Sequence, residues 1–146
     1  MKILVSACLL GENCKYNGGN NYDPTVAAFL EGRETLPLCP ELMAGLGCPR
    51  TPVEIVEGVL KDREGNDVDA ALRRAVEEAL ALVRREPVAF AILQSRSPTC
   101  GVEQVYDGSF SGRLIPGSGI FAQALQAEGC RVYDAAALHR DGFPEK

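Results

Sequence analysis

At 146 residues, with 46% hydrophobic and 24% charged side chains, the chain has the size and mix of one globular domain. Its formal net charge of −5 argues against a broad nucleic-acid surface, which needs clustered Lys and Arg. A local pocket can still oppose that charge and take a small neutral or anionic ligand. No segment approaches the roughly 20 apolar residues of a membrane span, so no membrane partner is expected.

The N-terminal "MKILVSACLLG" contains "LVSAC", which imitates a lipoprotein cleavage site. Only Ile3, Leu4, Val5, Ser6 and Ala7 separate the lysine from Cys8. A signal h-region needs about 7–15 apolar residues. Residues 2–8 are therefore expected to form a first, central β-strand, and the protein is expected in the cytoplasm.

"LLGENCKYNGGNNYD" then describes a long loop, rich in Gly and Asn. Asp23 or Thr25 is expected to cap a helix over 24–31, with Pro24 in its first turn and Gly32 after its end. "TLPLC", 35–39, reads as a second short strand. A short helix after Pro40 and a proline-rich connection follow, and "VEGVLKDREGND" reads as a hairpin or irregular turn.

The clearest helix is expected over 67–85, where Val68, Leu72, Val76, Leu80 and Val83 make one apolar face. Asp67 and Asp69 stand near its positive end and Arg84 and Arg85 near its negative end, as the helix dipole prefers. "VAFAIL", 88–93, lacks polar alternation, which suits a parallel strand buried on both faces. A turn at Asp107-Gly108 suggests a small hairpin. A helix over 119–128 is closed by Gly129, and "CRVYD" is the last strand. Strands alternating with helices predict an α/β fold with a short, mostly parallel sheet, organised as a single domain over 1–146. No repeat, low-complexity tract or linker interrupts it.

Six cysteines, at 8, 14, 39, 48, 100 and 130, are many for a cytoplasmic chain. Structural disulfides are rare there, so metal binding or thiol chemistry gains weight over simple burial. In an open parallel sheet, ligands bind outside the carboxyl ends of the strands. Cys8 and Cys39 sit at the ends of the first two strands, and Cys100 in the loop after the third. Three strands separated by long crossovers thus bring three thiols to one rim. Cys14 and Cys48 lie in the loops that follow and could stand nearby. Cys130 precedes a strand and is expected at the opposite rim, in a structural role.

No CxxC pair is present, which argues against a zinc ribbon or thioredoxin-like motif. The single histidine, His139, is read as a solvated side chain near the tail, so a Cys–His nucleophilic pair is not expected. Three strand-end thiols suit a catalytic metal centre with one open position, or an iron–sulfur cluster with one iron free. Spacing alone does not choose between them. Glu41, in "CPE", is either held at the same rim or a first-turn carboxylate that the helix dipole favours. Ser95, Ser97 and Thr99, in "SRSPTCG", offer hydroxyls beside the thiols or serve turn hydrogen bonding. Arg96 binds an anion or pairs with a surface carboxylate. Gly18-Gly19 and Gly117-Ser118-Gly119 could approach phosphate, the latter at a helix start.

"VSACLLGENCKYNGG", "LCPELMAGLGCPRTPVEI", "AILQSRSPTCG" and "VYDGSFSGRLIPGSGIFAQAL" resemble the successive blocks of the bacterial family known as domain of unknown function 523. The resemblance runs from Val5 to about Leu125. Members of that family include thiouracil desulfidases, which remove sulfur from 2-thiouracil with a [4Fe-4S] cluster. Three cysteines hold that cluster and leave one iron open to the substrate's sulfur. The resemblance implies a Rossmann-like three-layer fold and places the cluster ligands on Cys8, Cys39 and Cys100, the set the strand ends select. It places the catalytic carboxylate on Glu41 and the catalytic serine on Ser97. The expected function is therefore removal of sulfur from a thiolated small molecule, a thio-nucleobase such as 2-thiouracil. Two alternatives stay open: a non-enzymatic protein that binds a metal or cluster for storage or sensing, and a nucleotide-binding module with incidental cysteines. No oligomeric state is specified.

Overall fold

The computed structural model describes residues 1–144. The chain opens with strand β1, Lys2–Ser6, then turns through the 3-10 segment Ala7–Leu10. Helix α1, Pro24–Leu30, leads to β2, Thr35–Leu38, and to the single turn α2, Pro40–Met43. An antiparallel hairpin, β3 Val53–Val56 and β4 Val59–Asp62, precedes the long helix α3, Asp69–Arg85, and strand β5, Val88–Leu93. A second hairpin, β6 Gln104–Tyr106 and β7 Leu114–Pro116, is followed by α4 Ile120–Ala127, β8 Val132–Asp134 and α5 Ala135–Asp141.

Strands β2, β1, β5 and β8 lie side by side in that order, every neighbouring pair parallel. Side-chain alternation splits β1 and β5 between two apolar layers. Leu4, Ala91 and Leu93 face Leu72, Val76 and Leu80 of α3 and Phe121 and Leu125 of α4. Ile3, Val5, Phe90 and Ile92 face Val26 and Leu30 of α1 and Leu138 of α5. The result is a Rossmann-like three-layer α/β fold with helices on both sides of a short parallel sheet.

Strand β1 stops at Ser6, two residues before the sequence suggests. Gly11 takes φ 96°, a left-handed conformation that suits glycine, and its N–H closes the turn onto the Cys8 carbonyl. Cys8 therefore sits on the turn just beyond the strand. Helix α3 also starts two residues later than its pattern suggests. Asp67 bridges to Lys61, and the Val68 N–H donates to Leu60, so these residues belong to the hairpin. The turn between β3 and β4 has both central residues, Glu57 and Gly58, at positive φ, as a twisted two-residue hairpin requires.

Helix α5 has no counterpart in the sequence reading. Asp134 ends β8 and caps α5 at once, accepting from the Ala136 and Ala137 amides. His139 is exposed, as expected, and its Nε2 also stands 2.6 Å from the Asp23 carboxylate. Asp23 is itself the N-cap of α1, so this contact ties the two helices of one layer together.

Candidate functional site

Because β2, β1 and β5 are parallel and adjacent, their carboxyl ends open on one rim. A cavity of about 450 Å³ lies there, walled by Cys8, Cys14, Cys39 and Cys100, with Glu41 and Ser97 also lining it. The three thiols chosen by the strand-end argument are thus brought together, and both candidate polar residues join them. Cys14 joins as well: it is 2% exposed and packs with Cys8 and Ala7, with Cys39 against them. Cys48 does not line the cavity. Its sulfur stands 2.9 and 2.8 Å from the Asn13 and Lys15 carbonyls, which share its one proton, on the loop that carries Cys14. Cys130 lies before β8, at the opposite edge of the sheet, against the α3–α4 core.

The loop 97–101 owes its shape to Ser97 and to α4. Ser97 Oγ accepts from the Thr99 amide at 3.1 Å and the Cys100 amide at 3.0 Å. The first amides of α4 donate to the Pro98 and Thr99 carbonyls. A Cβ at Gly119 would lie 2.4 Å from the Thr99 carbonyl carbon, so only glycine lets the helix approach this closely. The amides at the start of α4 are therefore consumed by the cysteine loop, and the expected approach of phosphate to residues 117–119 is corrected. Gly18 likewise takes φ 84° beside Pro49, a turn requirement.

Glu41 stands in the first turn of α2, with Cys39 at the N-cap position. Arg50 donates to its Oε1 through Nη2 at 3.1 Å and Nε at 3.3 Å. The two side chains are only 7% and 14% exposed, and Arg50 Nη1 is fixed on the Gly47 carbonyl. Thr99 Oγ1 donates to the other oxygen, Oε2, at 3.4 Å. Sequence reasoning missed Arg50, because it treated 44–52 as a connection. Ser95 also lines the cavity, with its hydroxyl bonded to the Asp134 carboxylate. Arg96 lines the cavity at φ 66°, exposed to solvent.

Burial dominates the thiols. It pushes Cys8, Cys39 and Cys100 above the ordinary thiol value, Cys100 to about 12. The Asn21 amide opposes the rise at Cys8, donating to its sulfur from 3.5 Å. Hydroxyls of Ser6 and Thr99 oppose it at Cys100. Binding a cationic centre would have to displace these protons, so acid disfavours loading. The sign for the cluster-free protein is set by the folded state keeping thiols protonated that the unfolded chain ionises near pH 9. This stabilisation is complete below the ordinary thiol value and is lost as pH rises through the raised ones. The melting temperature of cluster-free protein is expected to fall between pH 9 and 11, and less steeply in Cys100→Ala. An unchanged melting temperature over that range would contradict it.

The donor set suits an iron–sulfur cluster, whose ligands are thiolates. Among the described residues, no three His, Cys, Asp or Glu side chains converge as a single metal ion requires. A cluster spreads its thiolates over separate irons, so it makes no such demand.

Fold and rim together define a class: a three-layer α/β protein with a cavity walled by thiols and a buried carboxylate–guanidinium pair. The chain belongs to the 2-thiouracil desulfurase family, whose model matches residues 3–136. It is 34% identical to the uncharacterized protein YbbK of Bacillus subtilis (strain 168), over 94% of this chain and 97% of that protein. It is also similar to the solved structure of the [4Fe-4S]-dependent thiouracil desulfidase TudS. There the identity is 36%, the TM-score 0.86, and the coverage 95% of this chain and 93% of that one. No helix among the described residues is long and apolar enough to cross a membrane.

Proposed function

We propose that the protein holds a [4Fe-4S] cluster on Cys8, Cys39 and Cys100 and hydrolytically removes sulfur from a thiolated small molecule, a thio-nucleobase such as 2-thiouracil. The observation that carries this reading is the convergence of three strand-end thiols and Glu41 on one cavity. The likeness to TudS supports the cofactor and the substrate class.

The reaction exchanges C=S for C=O. Water supplies the oxygen and both protons that leave with sulfur, so no external oxidant or reductant is consumed. When bound, the cluster supplies a Lewis acid with an open coordination position, which polarises the substrate's C–S bond. Glu41 is the general base for the attacking water. Arg50 occupies its Oε1 twice over, so Oε2 is the oxygen that receives the proton. Ser97 contributes by shaping the loop that presents Cys100, since its oxygen accepts two backbone amides.

Anaerobic reconstitution followed by iron and sulfide analysis tests the cofactor. The expected product is brown, with about four irons and four labile sulfides per chain. Steady-state release of sulfide from 2-thiouracil and related thio-nucleobases tests the activity. Stoichiometric zinc without labile sulfide would overturn the cluster. A loaded protein that releases sulfide from none of these compounds would favour storage or sensing.

A further inference from the structure

We propose that Thr99 is a positioning residue that links the carboxylate of Glu41 to the sulfur of Cys100 through one shared hydroxyl proton. This rests on the cluster-dependent reading above and deepens it.

Thr99 is 1% exposed, so bulk water does not compete for its hydroxyl. Its Oγ1 has three neighbours: Ser97 Oγ at 2.9 Å, Glu41 Oε2 at 3.4 Å and Cys100 Sγ at 3.6 Å. A hydroxyl has one proton and two lone pairs. Both lone pairs of Ser97 Oγ are taken by the Thr99 and Cys100 amides. The Ser97 proton must therefore be the one on the 2.9 Å contact, and Ser97 donates to Thr99. That leaves Thr99 with a single proton and two acceptors, the carboxylate oxygen and the sulfur.

Each acceptor group has one other polar neighbour. Oε1 of Glu41 is held by Arg50, which fixes the carboxylate plane and keeps Oε2 turned to Thr99. Cys100 Sγ is buried, with Ser6 as its other hydroxyl neighbour. Hydrogen bonds to a ligand sulfur withdraw electron density and raise the potential of the centre it holds. The same hydroxyl anchors the general base. One side chain thus sets both the aim of the base and the electronics of one cluster anchor. Its removal should disturb the two together.

The test compares Thr99→Val, Thr99→Ala and Thr99→Ser in the full-length protein, reconstituted anaerobically beside wild type. Iron per chain, cluster midpoint potential, and kcat and KM for 2-thiouracil are read. Thr99→Val and Thr99→Ala should keep wild-type iron and shift the potential to more negative values. Their kcat should fall by about 10–100-fold, the range typical of groups that hold a ligand or base from behind, with KM within about twofold. Thr99→Ser should restore both potential and kcat. Ala and Ser lack the same methyl group and differ by the hydroxyl, so this pair decides the matter even if the valine variant does not fold. Variants that match wild type in potential and kcat would overturn the proposal. So would a serine variant no better than alanine, or cluster loss in Val and Ala with retention in Ser, which would make the hydroxyl mere support. A wild-type protein that loads no cluster and releases no sulfide would instead overturn the functional reading.

Discussion

Glu41→Gln is expected to lower kcat by about 10²–10⁴-fold while iron per chain stays at the wild-type level, the range for loss of a positioned general base. The amide keeps the shape of the carboxylate but has a single oxygen: turned to Arg50 it still accepts there, its NH2 then faces Thr99 Oγ1 in place of Oε2, and no basic oxygen is left to take a proton from water. The variant also leaves a buried guanidinium facing a neutral partner, and breaking a buried pair typically costs about 3–5 kcal/mol. Its melting temperature should therefore fall, and turnover has to be expressed per loaded cluster. Wild-type kcat in a fully loaded Glu41→Gln protein would remove Glu41 from the chemistry. Loss of iron would place it among the ligands. Ser97→Ala is a less clean probe, because it strips a hydrogen-bond acceptor from two amides, one of them that of Cys100.

Serine in place of Cys8, Cys39 or Cys100 is expected to reduce iron per chain sharply, each change removing one of three anchors. Cys130→Ser should retain the cluster, since Cys130 lies at the far edge of the sheet. Cys14 and Cys48 now separate. Cys14→Ser changes a side chain packed on Cys8 and Cys39. Cys48→Ser changes only a staple between two loops, and a serine hydroxyl can donate its one proton to the Asn13 or the Lys15 carbonyl. Both are expected to retain the cluster, with the larger deficit at Cys14. Iron measured across all six variants, prepared side by side, checks this. Loss at Cys14 or Cys48 with retention at any proposed anchor would overturn the ligand set.

Much of the architecture is legible because local pattern and global environment agree. "VAFAIL" becomes β5 because a strand covered by helices on both faces is apolar throughout. The rim could be read for the same reason: once the strands are parallel, whatever follows each of them meets at one edge. What escaped depends on contacts distant in sequence. Arg50 gains its role from Glu41 and the turn at Gly47, and no periodicity marks it. Helix α5 is short and begins without a connecting loop, because Asp134 serves as both strand end and cap. Gly119 was ambiguous in kind. A glycine at a helix start permits either an anion or a close backbone, and here the backbone of Thr99 occupies the space.

The parallel pairing of β1 with β5 sets an order of assembly. Ile3 is hydrogen-bonded beside Phe90, so the first strand made waits for most of the chain before its central partner exists. Such long-range closure is slow compared with local contacts. Cys8 emerges early from the ribosome and Cys100 late, and a site made from both has no meaning until the crossovers have closed. Loading of the proposed cluster would thus come last in biogenesis: a nascent chain offers scattered thiols, and only a chain with its topology complete offers a receptacle.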